Sequence, residues 1–595
     1  MFARVIGSVL NRRRFGEGFG STGDMSAVAR QASPLGGRLI AAVLTGWIGF
    51  IAFSEPDFPL FALVATFFAA LVVVLSVLSR RPGFGLAMAI FAFVAVYVTS
   101  AFKFDVAAMN LHVYDVIFYL FSFAQLNFFI QTYPATAAVF GAIIAVTVLA
   151  MAVSFKLETP RRFGSLGGSV AAVAALAVLV GTGMSLGNRK PTFFDDGRHV
   201  FSAFIGSLSD LPALMRENGF FEISAHATLS PTIAAPITCK PGKDAPDIVL
   251  FLNESAMPEG VYPQLHYPAE LAPFFQSDDG KTHRLRVETF GGGTWLSDFS
   301  VLTGMPTNTF GNLRNFATQL MTGRLRHSLP QYLKACGYDT TMIYPSLAEF
   351  AGAGRFYRAI GFDRIIDRQV HHARDDRQRD AFYYDQVVKV LDAGRAKQGA
   401  LDPRRPQFIV ASSMSTHSPW NFRFAPEMLK KGETTHWTGD AEFDEYLWRM
   451  VLAKRDRDTF RATLAQRFPG QPFLFVNYGD HQPALTRLPL AHATEIADKG
   501  VAWQLDPTSR AFDTYYAIEG LNFTLKTPPP DVPILEISHL ATLTVAAAGL
   551  PLDPVFERRM WLIDKCDGLY ANCKDRGAVL AFQRYMLDSG WIVQP

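Results

Sequence analysis

The chain has 595 residues, of which 49% are hydrophobic, and a formal net charge of +3. This length exceeds one ordinary core, and the apolar content indicates a membrane part joined to a soluble part. The small charge, without a basic stripe or a nucleic-acid-binding motif, excludes DNA and RNA as expected partners. The sequence also gives no sign of an obligate protein partner.

Five apolar runs in the first third of the chain approach or reach the length of about 20 residues that crosses a bilayer. They lie near residues 37–54, 59–79, 84–102, 135–155 and 169–187. A sixth run, residues 113–130, contains the polar residues Asp115, Gln125 and Asn127. We therefore expect this sixth run to lie along the membrane interface or to re-enter, rather than to cross.

Basic residues decide between five and six spans, because cytoplasmic loops are enriched in Lys and Arg. They cluster before the first run, after the second and after the fourth: Arg4, Arg12, Arg13, Arg14, Arg30 and Arg38; Arg80 and Arg81; Lys156, Arg161 and Arg162. Five spans put all three clusters in the cytoplasm and the large remaining domain outside. We therefore predict a five-helix transmembrane domain over residues 1–187, in a bacterial inner membrane with the large remaining domain in the periplasm.

Two further regions follow the predicted spans. Residues 188–245 contain an amphipathic pattern around 201–215 and a Pro-rich stretch, which predict a juxtamembrane helical linker. From 246 to 595, short apolar runs alternate with amphipathic helical runs. This alternation is typical of an α/β domain with a mostly parallel sheet.

The four cysteines bear on the compartment. Cys566 and Cys573 flank a short polar loop that can close as a disulfide in an oxidising compartment, with two free thiols as the alternative. Their spacing is a poor pattern for zinc binding. Cys239 and Cys336 have no assignment from the sequence.

Two predicted strands of the α/β domain end at residues that can bind a metal. Ligands gather at the carboxyl ends of strands in such sheets. The apolar run that starts at Asp247 ends at Glu254, and the run that starts at Pro472 stops at Gly479 and is followed by Asp480 and His481. A carboxylate and an imidazole on a short turn suit metal ligation. The alternatives are a helix cap for Glu254 and a structural role for the Asp-His pair.

Two loops, one with a hydroxyl group and one with an imidazole, complete the set of candidate site residues. Glycines 291–293 precede Thr294, where a helical pattern begins. Glycines and a helix N-terminus together suit the binding of a phosphate. The alternative is an ordinary turn with Thr294 as the N-cap of the helix. Ser297 is the fallback nucleophile. His417 follows the strand-like run 407–410 and has either a functional or a structural role.

The order Glu254, Gly-Thr294, His417-x-Pro and Gly-Asp480-His481, after five predicted spans, resembles the lipoteichoic acid synthase and phosphoglycerol transferase branch of the sulfatase-like superfamily. The resemblance implies an alkaline-phosphatase-type α/β fold for residues 246–595. It also implies that Glu254, Thr294, Asp480 and His481 hold one divalent cation and that Thr294 is the nucleophile. Manganese or magnesium suits this ligand set, and zinc is the alternative.

The same resemblance assigns residues that contact the substrate. His417 matches a residue that contacts the transferred phospho-group. The family's Trp-Asn-Arg run is replaced here by Ala-Gly-Ala-Gly-Arg, so Arg355 is the substitute for its arginine and the transferred group stays open. His436 is a further candidate for the same pocket.

The expected reaction is the transfer of phosphoglycerol from a phospholipid, phosphatidylglycerol, to a periplasmic glycan or lipid acceptor through a phospho-threonine. A bound cation would lower the pKa of the threonine hydroxyl and neutralise phosphoryl charge. The nearest alternative is a phosphoethanolamine transferase acting on lipid A or a glycan. A sulfatase would need a formylglycine motif, which the sequence lacks, and the last alternative is an inactive membrane scaffold.

Overall fold

The computed structural model describes residues 34–107, 109–120, 122–160, 165–187, 198–209, 237, 239, 245–262, 264–374, 377–397, 405–487 and 508–593. The predicted basic cluster up to Arg30, the basic pair Arg161 and Arg162, and most of the predicted linker lie outside these residues. The predicted boundaries at 187 and 245 therefore stay predictions.

The N-terminal part is helical. Its helices are α1 (Pro34–Ser54), α2 (Phe58–Ser79), α3 (Pro82–Ala107), α4 (Phe123–Thr132), α5 (Pro134–Leu157), α6 (Ser165–Gly187) and α7 (Val200–Leu208). Four of those described, α2, α3, α5 and α6, are long and apolar enough to cross a membrane. The protein is thus membrane-anchored, while the five-span count stays a prediction because the side chains of α1 are described only from Leu44 onward.

Residues 113–132, which we call the bridging segment, are divided into short helices. Val113–Asp115 forms a single turn, Val116–Leu120 is π-helical, and α4 follows. With 10 residues, α4 is too short to span a bilayer. This division agrees with the expectation that the sixth apolar run does not cross the membrane.

The soluble part is built on one eight-stranded sheet. Its strands are β1 (Asp247–Asn253), β2 (His283–Arg286), β3 (Asp339–Ile343), β4 (Arg364–Ile366), β5 (Gln407–Ser412), β6 (Phe473–Gly479), β7 (Asp513–Leu521) and β8 (Leu535–Glu536). Their order is β4-β3-β5-β1-β6-β7-β2-β8. Strand β7 is antiparallel to β6 and β2, and the other neighbours are parallel. The sheet is therefore mixed, with the predicted parallel pairing at its centre.

Helices cover both faces of this sheet. They are α8 (Thr294–Thr303), α9 (Ala317–Met321), α10 (Leu329–Ala335), α11 (Ala353–Ala359), α12 (Arg368–His371), α13 (Asp380–Lys397), α14 (Ala441–Arg467), α15 (Leu540–Ala547), α16 (Pro554–Lys565) and α17 (Arg576–Asp588). Alternate β1 side chains point to opposite faces. Val249 and Phe251 pack with α13 and α14, whereas Leu250 and Leu252 join the larger core on the other face. The central strands are buried on both sides, as their continuous apolar sequence requires.

Both cysteine pairs form disulfides. The bond between Cys566 and Cys573 is one of the two alternatives that the sequence allowed, the other being two free thiols. The second bond joins Cys239 to Cys336, residues that had no assignment and that lie 97 positions apart. Two disulfides are typical of a protein domain in an oxidising compartment.

The long-range disulfide is expected to stabilise the soluble part more than the short one. Closing a loop of about 100 residues removes about 4–5 kcal/mol of chain entropy from the unfolded state, against about 2–3 kcal/mol for a loop of about 8. The double variant Cys239→Ser with Cys336→Ser should therefore lower the thermal unfolding midpoint more than Cys566→Ser with Cys573→Ser. Calorimetry of both variants tests this, and an equal or reversed order would contradict it.

Candidate active site

The register of two neighbouring strands brings the predicted ligands together. Strands β1 and β6 are parallel, and Asn253 pairs with Gly479. The next residues along the two strands are Glu254 and Asp480, so both side chains emerge at one edge of the sheet. The backbone N–H of Ser255 donates to Asp480 Oδ1 at 2.9 Å, which fixes this carboxylate against the end of β1.

Glu254, Asp480 and His481 form a buried cluster. One potential ligand atom from each residue lies within 4.8 Å of the others. His481 Nε2 is 3.4 Å from Glu254 Oε1 and 3.2 Å from Asp480 Oδ2. At most 4% of any of these residues is exposed. Two carboxylates in such a place need compensating positive charge.

The cluster fits a divalent cation. Within the described part of the chain, Asp480 Oδ2 and His481 Nε2 are buried and have no hydrogen-bond partner. His481 Nδ1 lies 3.0 Å from the carbonyl oxygen of Gln482, which assigns the ring proton to Nδ1 and leaves Nε2 as an electron-pair donor. Two carboxylate oxygens and one imidazole nitrogen are therefore directed at one point.

The charges in the cluster shift its proton affinities. Burial, together with the charge of Glu254, raises the pKa of Asp480 to about 7. Burial alone would lower the pKa of His481, but the carboxylates of Asp480 and Glu254 raise it above its ordinary value. The neighbouring carboxylates favour the protonated form of both residues, and burial adds to this effect at Asp480 and opposes it at His481.

Thr294 joins this cluster at the start of a helix. Gly291 and Gly293 have φ angles of 67° and 84°, in the left-handed region that glycine adopts without strain, and α8 then begins at Thr294. The Thr294 hydroxyl donates to Glu254 Oε2 at 3.3 Å. This hydroxyl lies at the helix N-terminus, the end at which the helix dipole favours negative charge.

Ser297 occupies a different place from Thr294. Its hydroxyl is buried and donates to the backbone carbonyl of Asp480 at 2.6 Å. This contact holds the turn that carries Asp480, and it makes the Ser297 oxygen a donor to the protein backbone. The fallback nucleophile is therefore better explained as a residue that positions the turn.

His417 lies in an exposed loop that is tied to the cluster. The Thr416 hydroxyl donates to the carbonyl oxygen of Glu254, and Arg449 Nη1 donates to the carbonyl oxygen of His417 at 2.7 Å. The ring Nδ1 of His417 lies 2.8 Å from the carbonyl oxygen of Ser418. The loop is thus fixed next to the cluster while the imidazole faces solvent, and its predicted contact with a phospho-group stays a prediction.

The other two predicted substrate-binding residues lie farther out. Arg355 is exposed in α11, directly after a loop of residues 349–352. His436 has a side chain that is 84% exposed, with Nδ1 3.6 Å from Asp444 Oδ2. The structure places the exposed His436 side chain beside Asp444 rather than in the cluster, and both substrate roles stay predictions.

A small cavity lies against the helix that starts at Thr294. It is lined by Trp295, Asp298, Thr318, Tyr344, Phe350, Ala351, Ala353, Phe356 and Tyr357. Asp298 accepts a hydrogen bond from the Tyr357 hydroxyl at 2.6 Å, and burial raises its pKa to about 6. The sequence analysis did not single out Asp298. Its position four residues after Thr294, on the same face of a helix, was the available signal.

Comparison with known proteins identifies the domain that carries this site. Residues 246–512 match the sulfatase family, which confirms the expected sulfatase-like domain. An uncharacterized protein of Haemophilus influenzae is 25% identical over 249 residues, which are 40% of this chain. The match spans 44% of that relative, less than half of its length.

Solved structures of similar proteins include a phosphoglycerol transferase and a phosphoethanolamine transferase. The phosphoglycerol transferase GacH of Streptococcus pyogenes, in complex with sn-glycerol-1-phosphate, is 16% identical with a TM-score of 0.44, and the match covers 59% of this chain and 87% of that one. The lipooligosaccharide phosphoethanolamine transferase A of Neisseria meningitidis, an integral membrane protein, is 11% identical with a TM-score of 0.45, covering 86% of this chain and 97% of that one.

Proposed function

We propose that this membrane-anchored chain, whose residues 246–512 form a sulfatase-family domain, transfers a phosphoglycerol group from a phospholipid such as phosphatidylglycerol to a glycan or lipid acceptor. The observation that carries the proposal is the hydroxyl of Thr294, which lies at a helix N-terminus and donates to Glu254 of the buried acidic cluster. A nucleophile, a set of metal ligands and an anion-binding helix end meet there.

One divalent cation is proposed to bind Glu254, Asp480, His481 and the Thr294 hydroxyl. It would lower the pKa of that hydroxyl and offset negative charge on the phosphoryl oxygens. Manganese or magnesium suits the oxygen-rich set, and zinc accepts it as well.

The proposed transfer has two balanced steps. In the first, Thr294 Oγ1 attacks the phosphorus and its proton moves to Glu254 Oε2, the oxygen to which it already donates. The bond from phosphorus to the diacylglycerol oxygen breaks, and that oxygen takes up a proton from water. In the second, an acceptor hydroxyl attacks the same phosphorus and gives its proton to water, the bond to Thr294 breaks, and Thr294 Oγ1 takes back the proton held by Glu254. The α8 N-terminus stabilises the phosphoryl charge in both steps, and His417 would contact the phospho-group.

The membrane anchor and the disulfides support a site outside the cytoplasmic membrane. The α2, α3, α5 and α6 helices hold the soluble domain close to the membrane in which a phospholipid donor lies. Both cysteine pairs are oxidised, as befits the periplasm of a bacterium. We therefore propose an inner-membrane protein whose domain of residues 246–595 is periplasmic.

A second candidate is the transfer of phosphoethanolamine to lipid A or a glycan. The cavity beside α8 favours this alternative because it combines the Asp298 carboxylate with the rings of Trp295, Tyr344, Phe350 and Phe356. A carboxylate among aromatic rings suits an ammonium group. Phosphoglycerol transfer remains the first proposal because the order of the site motifs resembles that of the phosphoglycerol transferase branch.

Intact mass spectrometry distinguishes the two candidates. The full-length protein is incubated with manganese and either phosphatidylglycerol or phosphatidylethanolamine, beside a Thr294→Ala variant. We expect a glycerophosphate-sized adduct that maps to Thr294 and is absent from the variant. A phosphoethanolamine-sized adduct at Thr294 would favour the second candidate. No adduct from either lipid, with the cation bound, would refute Thr294 as the nucleophile.

A further inference from the structure

The bridging segment packs into the core of the soluble domain. Val113 and Tyr114 are buried members of the large hydrophobic cluster on one face of the sheet. The ring of Phe316, which ends the loop before α9, lies 5.3 Å from the Tyr114 ring and 5.6 Å from the Phe118 ring. This part of the membrane region is therefore continuous with the catalytic domain.

The same segment is fixed to a candidate span. Lys103 of α3 donates to Asp115 Oδ2 at 2.8 Å and to the carbonyl oxygen of Asn110 at 2.9 Å. Asp115 also accepts the backbone N–H of His112 at 2.7 Å, which begins the first turn of the segment. The ion pair is largely buried, so it resists screening by salt. A shift of α3 would therefore move the bridging segment with it.

Two polar side chains connect the segment to the loop of residues 349–352. Gln125 of α4 is buried, and its Nε2 donates to the carbonyl oxygen of Glu349 at 2.8 Å. Gln319 Nε2 donates to the Tyr119 hydroxyl oxygen at 2.9 Å and to the carbonyl oxygen of Ala351 at 2.6 Å. One hydrogen bond to the loop therefore comes from the segment itself, and the other comes from Gln319, which also contacts Tyr119 of the segment.

That loop has a backbone conformation that needs support. Ala351 has φ 49° and ψ 19°, in the left-handed region that costs a non-glycine residue about 1–2 kcal/mol. Phe350 and Ala351 line the cavity beside α8, and Trp295 and Asp298 line it from α8 itself. The loop therefore forms one wall of this cavity, and the opposite wall contains Trp295, the residue that follows Thr294.

The opposite side of α4 faces outward. Phe123, Leu126 and Ile130 have exposed side chains, and Phe123 is 84% exposed. These residues are spaced as one face of a helix, whereas Gln125 and the Phe128 ring, 6.5 Å from the Phe350 ring, are directed at the loop. In a membrane-anchored chain, one face of α4 suits the lipid surface and the other contacts a wall of the cavity.

We propose that Gln125 is a positioning residue for the phospholipid donor: it holds the loop of residues 349–352, which packs against α8 directly after Thr294, in the arrangement that binds the donor's headgroup. This proposal rests on the proposed phospholipid-dependent transfer. Gln125 acts through the loop and does not contact the cation cluster. Its loss should therefore weaken donor binding and leave the chemical step intact.

The test uses Gln125→Glu in the full-length protein in nanodiscs that contain phosphatidylglycerol. The substitution keeps the size of the side chain, removes its N–H donor and places a carboxylate against the Glu349 carbonyl. We expect the KM for the lipid to rise about ten-fold, the worth of one buried hydrogen bond, with kcat and manganese affinity within about two-fold of wild type. The matched control is Gln131→Glu, because exposed Gln131 on the same helix contacts only Asn127 among the described contacts.

Hydrogen exchange of the same samples gives a second readout that needs no turnover. The amides of Gly352 and Gly354 are bonded to the carbonyl oxygens of Glu349 and Ala348. They should exchange at least about five-fold faster in Gln125→Glu than in Gln131→Glu. Unchanged exchange together with unchanged KM, or equal effects in both variants, would overturn the proposal. Absence of lipid turnover in the wild type would refute the proposed function instead, and the exchange data would still test the contact.

Discussion

Replacing Thr294 with alanine is expected to lower the rate of phospho-group transfer by at least about 10³-fold, because the variant lacks the oxygen that attacks phosphorus. Cation binding should persist, since Glu254, Asp480 and His481 remain. Thr294→Ser keeps the hydroxyl and should retain a measurable rate, within about 100-fold of wild type. Initial rates with labelled phosphatidylglycerol, together with cation titration of each variant, measure both effects.

Ser297 supplies the control for this assignment. Its hydroxyl donates to the Asp480 carbonyl, three residues along α8 from Thr294. Ser297→Ala should disturb the position of Asp480 and slow the reaction, but the covalent adduct should still form on Thr294. Loss of the adduct in Ser297→Ala, together with a normal adduct in Thr294→Ala, would reverse the two roles.

The candidate metal cluster could be predicted from the sequence because strand ends are local features. The apolar runs that become β1 and β6 stop just before Glu254 and Asp480, and parallel strands bring their carboxyl ends to one edge. The sequence did not state that β1 and β6 are direct neighbours. That adjacency, which sets the distances in the cluster, depends on the order of all eight strands.

Contacts between distant parts of the chain could not be predicted from the sequence. The disulfide between Cys239 and Cys336 needs the position of the linker relative to α10, which no local pattern encodes. The hydrogen bond from Gln125 to the Glu349 carbonyl oxygen joins residues 224 positions apart, and no pattern in the sequence links the two. The polar residues of the sixth apolar run led us to separate it from the predicted spans, but they gave no sign of its packing on the soluble domain.

Asp480→Asn is expected to weaken manganese binding by at least about 100-fold. Residues that merely orient metal ligands are worth about 10- to 100-fold in affinity, and Asp480 is itself a proposed ligand. The matched control is Asp380→Asn, another buried carboxylate, whose Oδ1 accepts the N–H groups of Met414 and Ser415 and can be replaced there by an amide oxygen. Isothermal titration calorimetry should show one site in the wild type and in Asp380→Asn.

The pH dependence of manganese binding makes this prediction sharper. Burial and the charge of Glu254 raise the pKa of Asp480 to about 7. A cation binds the ionised carboxylate, so protons compete with it below this pH, and affinity rises with pH until Asp480 is deprotonated. Wild-type affinity at pH 6 should therefore be about ten-fold below that at pH 8. Asparagine has no proton to lose, so the slope should decrease in Asp480→Asn but persist in Asp380→Asn. Equal affinities and equal slopes in all three proteins would remove Asp480 from the cation site, and with it the reason for its burial beside Glu254.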